Sequence, residues 1–368
     1  MDLTAHTLDL ALTTPFRISR SVQTLAHNVQ TRIDADGVEG IGEAAPSGFY
    51  GERRESVFVA LSDFAEHIDG EPGLIEDIVA AMDRRLRANA AAKASVDMAL
   101  YDLLGKRLGA PVYQLLGLNP ERTPVTSFTI GIDEPKEMAR KAAEAAKTFP
   151  ILKIKLGTSH DLEIVRAIRD ATDATLRVDA NAAWTPKQAV QVIHELEPYN
   201  IEFVEQPLQP TDIEGLRFVR ERVALPIIAD ESCVTESDIP RLVGAVDGIN
   251  IKLMKCGGIH HALRMIHTAR AHHLSVMLGC MIESSLAITA AAHLSPLVDY
   301  ADLDGNLLIN DDPFEGVQVD HGKLILPERA GLGVRPRHND TRRHVNSGAA
   351  SSSRHARQAT RPPSEEEE

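Results

Sequence analysis

Apolar residues recur along the middle of the chain in short runs, and each run ends in a charged residue. These runs end at Lys155, Asp179, Glu205, Asp230 and Lys252, which are 24, 26, 25 and 22 residues apart. A strand, a turn, a helix and a second turn occupy a stretch of about that length in successive βα units. The spacing therefore predicts consecutive units with a charged side chain at the carboxyl end of each strand.

The same pattern continues on both sides of this region. Strand-like runs occur at residues 125–130, 151–155, 175–179, 201–205, 226–230, 248–252, 274–279 and 299–304. Amphipathic segments lie between them, including Asp161 to Ala171, Pro186 to Leu196 and Ile259 to His272. Eight strands alternating with helices predict an α/β fold, a (β/α)8 barrel of the TIM type. In such barrels the catalytic residues lie at the carboxyl ends of the strands.

Residues 1–118 follow a different pattern, with strand-like alternation first and helical periodicity from about residue 54 to 116. We predict an α+β capping domain at 1–118, completed by about 316–334, and a modified (β/α)8 barrel at 119–315. Two loop-like segments, 15–20 and 46–51, are candidates to cover a pocket. Residues 335–368 are rich in Arg, Ser and Pro and poor in apolar residues, so we expect a disordered tail.

Composition excludes several classes of function. The 368 residues are enough for a barrel of about 250 residues and a modest second domain. A net charge of −14 argues against nucleic-acid binding. No stretch approaches the ~20 apolar residues of a membrane span, and the first residues lack a signal-peptide pattern, so we expect a cytoplasmic protein. Three scattered cysteines predict neither a disulfide framework nor a zinc site.

Three of the strand-terminal residues are acids on consecutive predicted strands, namely Asp179, Glu205 and Asp230. A single acid at a strand end is commonly a solvated charge, but three in register at the mouth of a barrel would repel one another strongly. Such a group needs a cation, and oxygen ligands suit Mg²⁺ or Mn²⁺ rather than zinc. We therefore predict a divalent metal site.

Lys155 and Lys252 end the strands on either side of these acids, so their side chains should face each other across the mouth. Two bases beside a metal-bound carboxylate suit removal and return of the proton alpha to that carboxylate. Positive charge from Lys153 and the metal should make Lys155 a usable base near neutral pH. A Schiff-base aldolase and a non-catalytic binding protein are the alternatives, which the full set of ligands and bases disfavours.

The eighth strand ends in Asp302-Leu303-Asp304, and alternation places both acids on one face. Because three metal ligands are already assigned, we expect this pair to receive an ammonium group. An Asx turn before Gly305 is the alternative. The segment from Lys255 to Ile259 offers backbone donors at a helix start, which could hold a carboxylate or phosphate, or simply form a tight turn.

Taken together, these motifs resemble the enolase superfamily, muconate-lactonizing subgroup, over residues 1 to about 334. The resemblance rests on Lys153-Ile154-Lys155, Asp179-Ala180-Asn181, Glu205-Gln206-Pro207, Asp230-Glu231-Ser232 and Asn250-Ile251-Lys252. Within that subgroup, Asp302-Leu303-Asp304 and Gly279-Cys280-Met281-Ile282-Glu283 resemble the dipeptide epimerases. A cycloisomerase or syn-dehydratase, such as o-succinylbenzoate synthase or a muconate-type enzyme, uses the same barrel residues and is the alternative.

The resemblance implies one Mg²⁺ per subunit on the three acids, and a 1,1-proton transfer between Lys155 and Lys252. It implies a dipeptide substrate, L-Ala-L-Glu by default, epimerised at its C-terminal residue. The residues expected to contact the substrate are Thr129, Lys153, Cys280, Ile282, Asp302, Asp304 and Arg20. Asp302 and Asp304 would hold the ammonium group, and Arg20 loosely matches an arginine that reads a glutamate side chain. We also expect a homo-oligomer.

Overall fold

The computed structural model describes residues 2–67 and 70–337. Most of the predicted disordered tail, from residue 338 onward, lies outside the described residues. Residues 335 and 336, which we expected to belong to that tail, are in a short strand instead. No helix in the described part of the chain is both long enough and apolar enough to cross a lipid bilayer.

The first part of the chain, which we call the cap, combines an antiparallel sheet with helices. Its strands are β1 (Asp2–Ile18), β2 (Ser21–Ala35) and β3 (Val38–Ala44), paired in the order β1-β2-β3. Its helices are α1 (Arg54–His67), α2 (Ile75–Arg85), α3 (Ala90–Leu108) and α4 (Val112–Leu115). The predicted succession of strands followed by helices is confirmed.

The segment 15–20 differs from the prediction, because its first four residues are part of β1. The register of the β1–β2 pair shifts between Ala11 and Phe16, and pairing then resumes with Phe16 opposite Gln23. An irregularity of this kind lets an edge strand tolerate Pro15, whose missing N–H would interrupt a regular ladder. Only Ser19 and Arg20 remain as a turn, which we call the β1–β2 turn.

Helix α3 lies directly against β3 because the strand carries two glycines at the contact. A Cβ atom on Gly40 would lie 2.0 Å from the carbonyl oxygen of Ala99, and one on Gly42 would lie 1.9 Å from that of Ser95. Real Cβ contacts are never that short, so either substitution would separate the helix from the sheet. The Ala-rich sequence of α3 permits the same close approach from the other side.

The barrel contains the eight predicted strands in a parallel sheet of sequential order. They are β4 (Phe128–Ile130), β5 (Ile151–Lys155), β6 (Thr175–Asp179), β7 (Ile201–Glu205), β8 (Ile227–Ala229), β9 (Gly248–Ile251), β10 (Ser275–Gly279) and β11 (Tyr300–Asp302). A parallel bridge between Thr126 and Ala301 brings the first and last strands together. The predicted fold class is confirmed.

The helices of the barrel cover the outside of the sheet and place the strand ends. They are α5 (Pro135–Ala145), α6 (Asp161–Ala171), α7 (Pro186–Leu196), α8 (Ile213–Arg220), α9 (Ile239–Leu242), α10 (Leu253–Cys256), α11 (Ile259–Ala271) and α12 (Ser285–Ala292). Helices α6 and α7 begin and end at the predicted residues. Proline at the first position of α7, with a capping box formed by Thr185 and Gln188, explains its sharp start.

Between the barrel and residue 337, where the described part of the chain ends, lie four short strands, β12 (Phe314–Glu315), β13 (Gln318–Asp320), β14 (Lys323–Ile325) and β15 (Arg335–Pro336). The segment 316–334, which we predicted to complete the cap, has contacts with both parts of the chain. The carbonyl of Gly322 accepts a hydrogen bond from the N–H of Thr126, just before β4. The N–H of Leu332 donates to Asp102 of helix α3, at 2.8 Å.

Candidate active site at the mouth of the barrel

Three buried carboxylates meet at the carboxyl ends of β6, β7 and β8. Asp179, Glu205 and Asp230 each present one oxygen, and these three oxygens lie within 4.8 Å of one another. Ligand oxygens around one Mg²⁺ lie about 2.0–2.1 Å from the ion, so opposite ligands are roughly 4 Å apart. Both the spacing and the all-oxygen donor set therefore fit one divalent cation such as Mg²⁺ or Mn²⁺.

The three carboxylates differ in how their charge is balanced. Burial and the charge of Asp179 raise the pKa of Glu205 to about 7. Burial would also raise the pKa of Asp179, but Lys155 and Lys153 outweigh it and lower that pKa to about 2. The ammonium groups of Lys252 and Lys255 likewise overcome burial and hold the pKa of Asp230 well below its usual range. The site is therefore a compact cluster of alternating charges.

Lys155 and Lys252 approach this cluster from opposite sides. Lys155 ends β5 and Lys252 follows β9, four strands further around an eight-stranded sheet. The Nζ of Lys155 lies 2.6 Å from Oδ2 of Asp179, and that of Lys252 lies 2.8 Å from Oδ2 of Asp230. Both side chains are nearly buried and line the same cavity. The predicted arrangement across the mouth is thus present.

Lys153 lies deeper than Lys155 and joins two parts of the site. Its Nζ is 2.7 Å from Glu205 Oε2, 2.8 Å from Asp302 Oδ2 and 3.2 Å from Asp179 Oδ2. Burial alone would lower the pKa of this ammonium, but the surrounding carboxylates raise it well above the ordinary value. Lys153 is therefore a fixed positive charge and not a candidate base.

Asp302 ends β11 and Asp304 lies two residues later; both line the cavity, but they are held differently. Ser127 Oγ donates to Asp302 Oδ1 at 2.6 Å, while Lys153 binds the other oxygen. The N–H of Thr129 donates to Asp304 Oδ2 at 2.6 Å. Burial, and then the charge of Asp302, raises the pKa of Asp304 to about 7. An ammonium group near Asp304 would offset that repulsion.

The nine residues predicted to be catalytic or to bind substrate all line one cavity of about 530 Å³. They are Arg20, Thr129, Lys153, Lys155, Lys252, Cys280, Ile282, Asp302 and Asp304. Cys280 Sγ donates to the carbonyl of Asp302 at 3.3 Å, which ties the ends of β10 and β11 together. The carbonyl of Ile282 accepts from Asn28 of the cap at 3.0 Å.

The cap contributes the outer wall of the cavity. Arg20 extends from the β1–β2 turn over the mouth, where it forms an ion pair with Glu231 at 2.8 Å and donates to the carbonyl of Asn181 at 3.0 Å. Its guanidinium carbon lies 4.2 Å from the ring centroid of Phe49, in the second predicted covering loop. Both segments that we expected to cover a pocket therefore line it.

Sequence reasoning assigned no role to several residues that hold the site together. Lys255 donates to Asp230 Oδ1 at 2.6 Å, and Asn250 donates to Glu205 Oε1 at 2.8 Å. Asn181 and Glu231 belong to the motifs that also contain the predicted metal ligands Asp179 and Asp230, but the sequence did not predict their contacts with Arg20. Asn250 could have been found, because it lies two positions before Lys252 and so shares its face of the strand. Lys255 lies in the short helix α10, so strand alternation does not predict its contact with Asp230.

The helix start at residues 258–260 is occupied by the protein itself. The backbone N–H groups of Ile259 and His260 donate to the carboxylate of Asp97, which comes from α3 of the cap. The carboxylate that we expected as a possible ligand there is therefore an internal one. It joins the cap to the N-terminus of α11.

Comparison with known proteins supplies further evidence. A model of the mandelate racemase and muconate lactonizing enzyme N-terminal domain matches residues 3–117, and a model described as enolase C-terminal domain-like matches residues 137–340. The chain is 44% identical over 335 residues to an L-Ala-D/L-Glu epimerase of Bacteroides thetaiotaomicron. The aligned region covers 91% of this chain and 88% of that protein.

Two further matches concern Enterococcus faecalis. A hydrophobic dipeptide epimerase of that organism is 44% identical over 314 residues, covering 81% of this chain and 88% of the relative. A crystal structure of a dipeptide epimerase from strain V583, in complex with Mg and L-Leu-L-Tyr, superposes with a TM-score of 0.86 at 41% identity. That superposition covers 90% of this chain and 98% of the other.

Proposed function

This chain belongs to the mandelate racemase and muconate lactonizing enzyme family of the enolase superfamily, and we propose that it is a magnesium-dependent dipeptide epimerase. The observation that carries this proposal is the pair of lysines on opposite sides of three buried carboxylates. The cap, at 1–118, then covers a barrel at 119–315 that holds the chemical groups. The enzyme is an isomerase.

Asp179, Glu205 and Asp230 are proposed to hold one Mg²⁺ per subunit, with Mn²⁺ as a possible substitute. When bound, the ion supplies positive charge that stabilises the negative charge developing on the substrate carboxylate. The structure of the E. faecalis relative, which was determined with Mg, supports this assignment. Lys153, fixed between Glu205 and Asp302, is proposed to add a second positive charge toward the same carboxylate.

The chemistry is a proton transfer at the alpha carbon of the C-terminal residue. One lysine, as the neutral amine, takes the alpha proton from one face, and the electron pair moves into the carboxylate to give an enediolate. The other lysine, as the ammonium, then donates a proton to the opposite face. Lys155 and Lys252 are suited to these roles because they come from strands on opposite sides of the barrel.

The other end of the dipeptide is proposed to meet Asp302 and Asp304. Two buried carboxylates that share a wall of the cavity attract an ammonium group more strongly than either would alone. Thr129 fixes Asp304 through its backbone N–H, and Cys280 and Ile282 complete the wall around the peptide. A cycloisomerase substrate without an ammonium group would leave this pair without a function.

Deuterium incorporation tests the two-base mechanism directly. Each epimer of L-Ala-Glu is incubated in deuterated buffer with wild type, Lys155→Ala, Lys252→Ala or a control variant at the exposed Lys187. We expect each active-site variant to lose alpha-proton exchange from at least one epimer and to lose epimerisation. Normal exchange of both epimers by Lys155→Ala would overturn the assignment, whereas Lys187→Ala should behave like wild type.

The relatives differ in the second residue of the dipeptide, since the name of one specifies Glu and the name of the other specifies hydrophobic dipeptides. L-Ala-L-Glu is the default that we test first.

We further propose a cytoplasmic homo-oligomer. Light scattering at two protein concentrations measures the oligomeric state, and fractionation of the source cells tests the location.

A further inference from the structure

Arg20 makes more contacts with the protein than a free substrate receptor would. One terminal nitrogen forms the 2.8 Å ion pair with Glu231, and the other donates to the carbonyl of Asn181 at 3.0 Å. The face of the guanidinium covers the ring of Phe49, at a distance typical of a cation–π contact. Both edges and one face of the group are therefore occupied by protein atoms.

Glu231 explains why Arg20 is held so firmly. Its side chain has no exposed surface, and it is in a cluster that already contains the carboxylates of Asp230 and Asp179. Within the described residues, Arg20 is the one cation in ion-pair contact with Glu231. Moving Arg20 away would leave a buried carboxylate without its ion-pair partner, a strongly destabilising change.

The residues around Arg20 connect the β1–β2 turn to four strand ends of the barrel. The carbonyl of Arg17 accepts from the N–H of Ile132 after β4, at 2.8 Å. Ser19 donates to Asn181 after β6 at 3.3 Å, and Glu231 follows β8. After β5, Gly157 has φ +105°, and a Cβ there would lie 2.8 Å from Cβ of Ser19. Only glycine permits that approach.

We propose that Arg20 is a positioning residue that fastens the β1–β2 turn and the loop carrying Phe49 over the cavity through Glu231, and that it does not bind the second side chain of the substrate. This inference rests on the proposed function, because it concerns the same cavity. It departs from the expectation that Arg20 reads a glutamate side chain.

Because Arg20 is paired with Glu231, the side chain of the substrate's second residue would contact other parts of the cavity wall. The lysines that line the cavity are all ion-paired with carboxylates, and His27 is paired with Asp9. Among the other cap residues that line the cavity, apolar side chains outnumber polar ones, and two of the apolar ones are substantially exposed, Val22 at 55% and Phe49 at 42%. An apolar second residue would cover that surface, whereas a second carboxylate would find no uncommitted cation in the described part of the cavity.

The test compares the effect of one substitution on several substrates. Values of kcat and KM are measured for L-Ala-L-Glu, L-Ala-L-Gln and L-Ala-L-Leu with wild type, Arg20→Met, Arg20→Lys and Arg17→Met. We expect Arg20→Met to raise KM about tenfold or more for all three dipeptides by a similar factor, with kcat little changed. Arg20→Lys should recover part of the loss, and Arg17→Met, an exposed arginine three residues earlier, should have no effect.

The ion pair itself is tested by the double variant Arg20→Met with Glu231→Gln. Because the glutamine carries no buried charge, we expect the double variant to be no worse than Arg20→Met alone. A double variant with a clearly higher KM than Arg20→Met alone would contradict the ion pair. A loss restricted to L-Ala-L-Glu, with normal L-Ala-L-Leu turnover, would show that Arg20 is a substrate receptor and would overturn the proposal.

Limited proteolysis separates this inference from the proposed function. Chymotrypsin cleavage after Phe16 or Phe49 should be at least about threefold faster in Arg20→Met than in Arg17→Met, under conditions where both remain folded by circular dichroism. An unchanged cleavage rate would overturn the positioning role. Absence of epimerisation in wild type, with accelerated cleavage in Arg20→Met, would instead refute the proposed function alone.

Discussion

Lys255 donates twice to Asp230, to the carboxylate Oδ1 at 2.6 Å and to the backbone carbonyl at 2.7 Å. The same ammonium also donates to the carbonyls of Cys233 and Asn250, at 3.0 and 2.8 Å. Its side chain is fully buried. Lys255 therefore fixes the orientation of a proposed metal ligand and joins the strand ends of β8 and β9.

We predict that Lys255→Met weakens Mg²⁺ binding about 10- to 100-fold and destabilises the fold by about 3–5 kcal/mol. The methionine fills similar volume but removes one donor from Oδ1 of Asp230 and one from each of three carbonyls. Isothermal titration with Mg²⁺ and urea unfolding measure the two effects. Lys187→Met, at an exposed lysine, is the control. Tighter Mg²⁺ binding by Lys255→Met would mean that the charge of Lys255, which repels the ion, matters more than the orientation it imposes.

The pKa of Asp304 predicts how substrate capture depends on pH. Burial and Asp302 raise this pKa to about 7, so the free enzyme loses the second negative charge of the pair below that pH. At saturating Mg²⁺ we expect kcat/KM for a dipeptide to fall toward tenfold per unit below about pH 7, while kcat falls less. Asp304→Asn should lower kcat/KM at pH 8 and remove this pH dependence. An unchanged acid limb in that variant would exclude Asp304 as its source.

Asp302 distinguishes an epimerase from a cycloisomerase on the same scaffold. We predict that Asp302→Asn lowers kcat/KM for dipeptides by at least about 100-fold, because it removes a buried charge that we propose to bind the substrate ammonium. Ser127→Ala is the matched control, since it keeps the charge of Asp302 but removes the 2.6 Å hydrogen bond to that carboxylate, and it should cost about tenfold. Both losses are read from initial rates of epimerisation by polarimetry.

An N-acetylated dipeptide completes the Asp302 experiment, because it lacks the ammonium group. Wild type should process this compound poorly, and Asp302→Asn should narrow the gap between the free and the acetylated dipeptide. Equal rates of wild type on both compounds would contradict the ammonium receptor and favour the cycloisomerase alternative.

Much of the barrel and its chemistry could be predicted because both depend on local pattern. Alternation fixes which side chains of a strand share a face, and the regular spacing of about 24 residues fixes which strand ends are neighbours. The sequence pattern therefore predicts that Asp179, Glu205 and Asp230 lie together, and one oxygen of each lies within 4.8 Å of the others in the structure. The same reasoning placed Lys155 and Lys252 on opposite sides.

Contacts between the cap and the barrel could not be predicted in this way. Arg20 and Glu231 are separated by more than half of the described chain, and their pairing depends on how two independently patterned parts dock. The strand character of Pro15–Ile18 was missed because it depends on a register shift opposite β2. Lys255 was missed because it follows β9 in a short helix, where strand alternation no longer applies.

The docking of cap and barrel also predicts a pH dependence of stability, through Asp97. Its carboxylate is fully buried and accepts hydrogen bonds from Ile259 and His260 at the start of α11. Burial raises the pKa of Asp97 to about 7, although those two donors act in the opposite direction. In the unfolded chain an aspartate has a pKa of about 3.9. The native state therefore binds the Asp97 proton more tightly than the unfolded state does.

Linkage then fixes the sign of the effect. The stability contributed by protonated Asp97 is fully present below about pH 4 and is lost as pH rises to about 7, by up to roughly 4 kcal/mol. Asp97→Asn lacks this titration but can still accept a hydrogen bond from Ile259. We predict that the variant gains stability relative to wild type between pH 5 and pH 8, measured by urea unfolding at each pH. Asp34→Asn, at an exposed aspartate of the cap, is the control and should show no such gain in stability. If the difference in unfolding free energy between Asp97→Asn and wild type were also independent of pH, the raised pKa would be refuted.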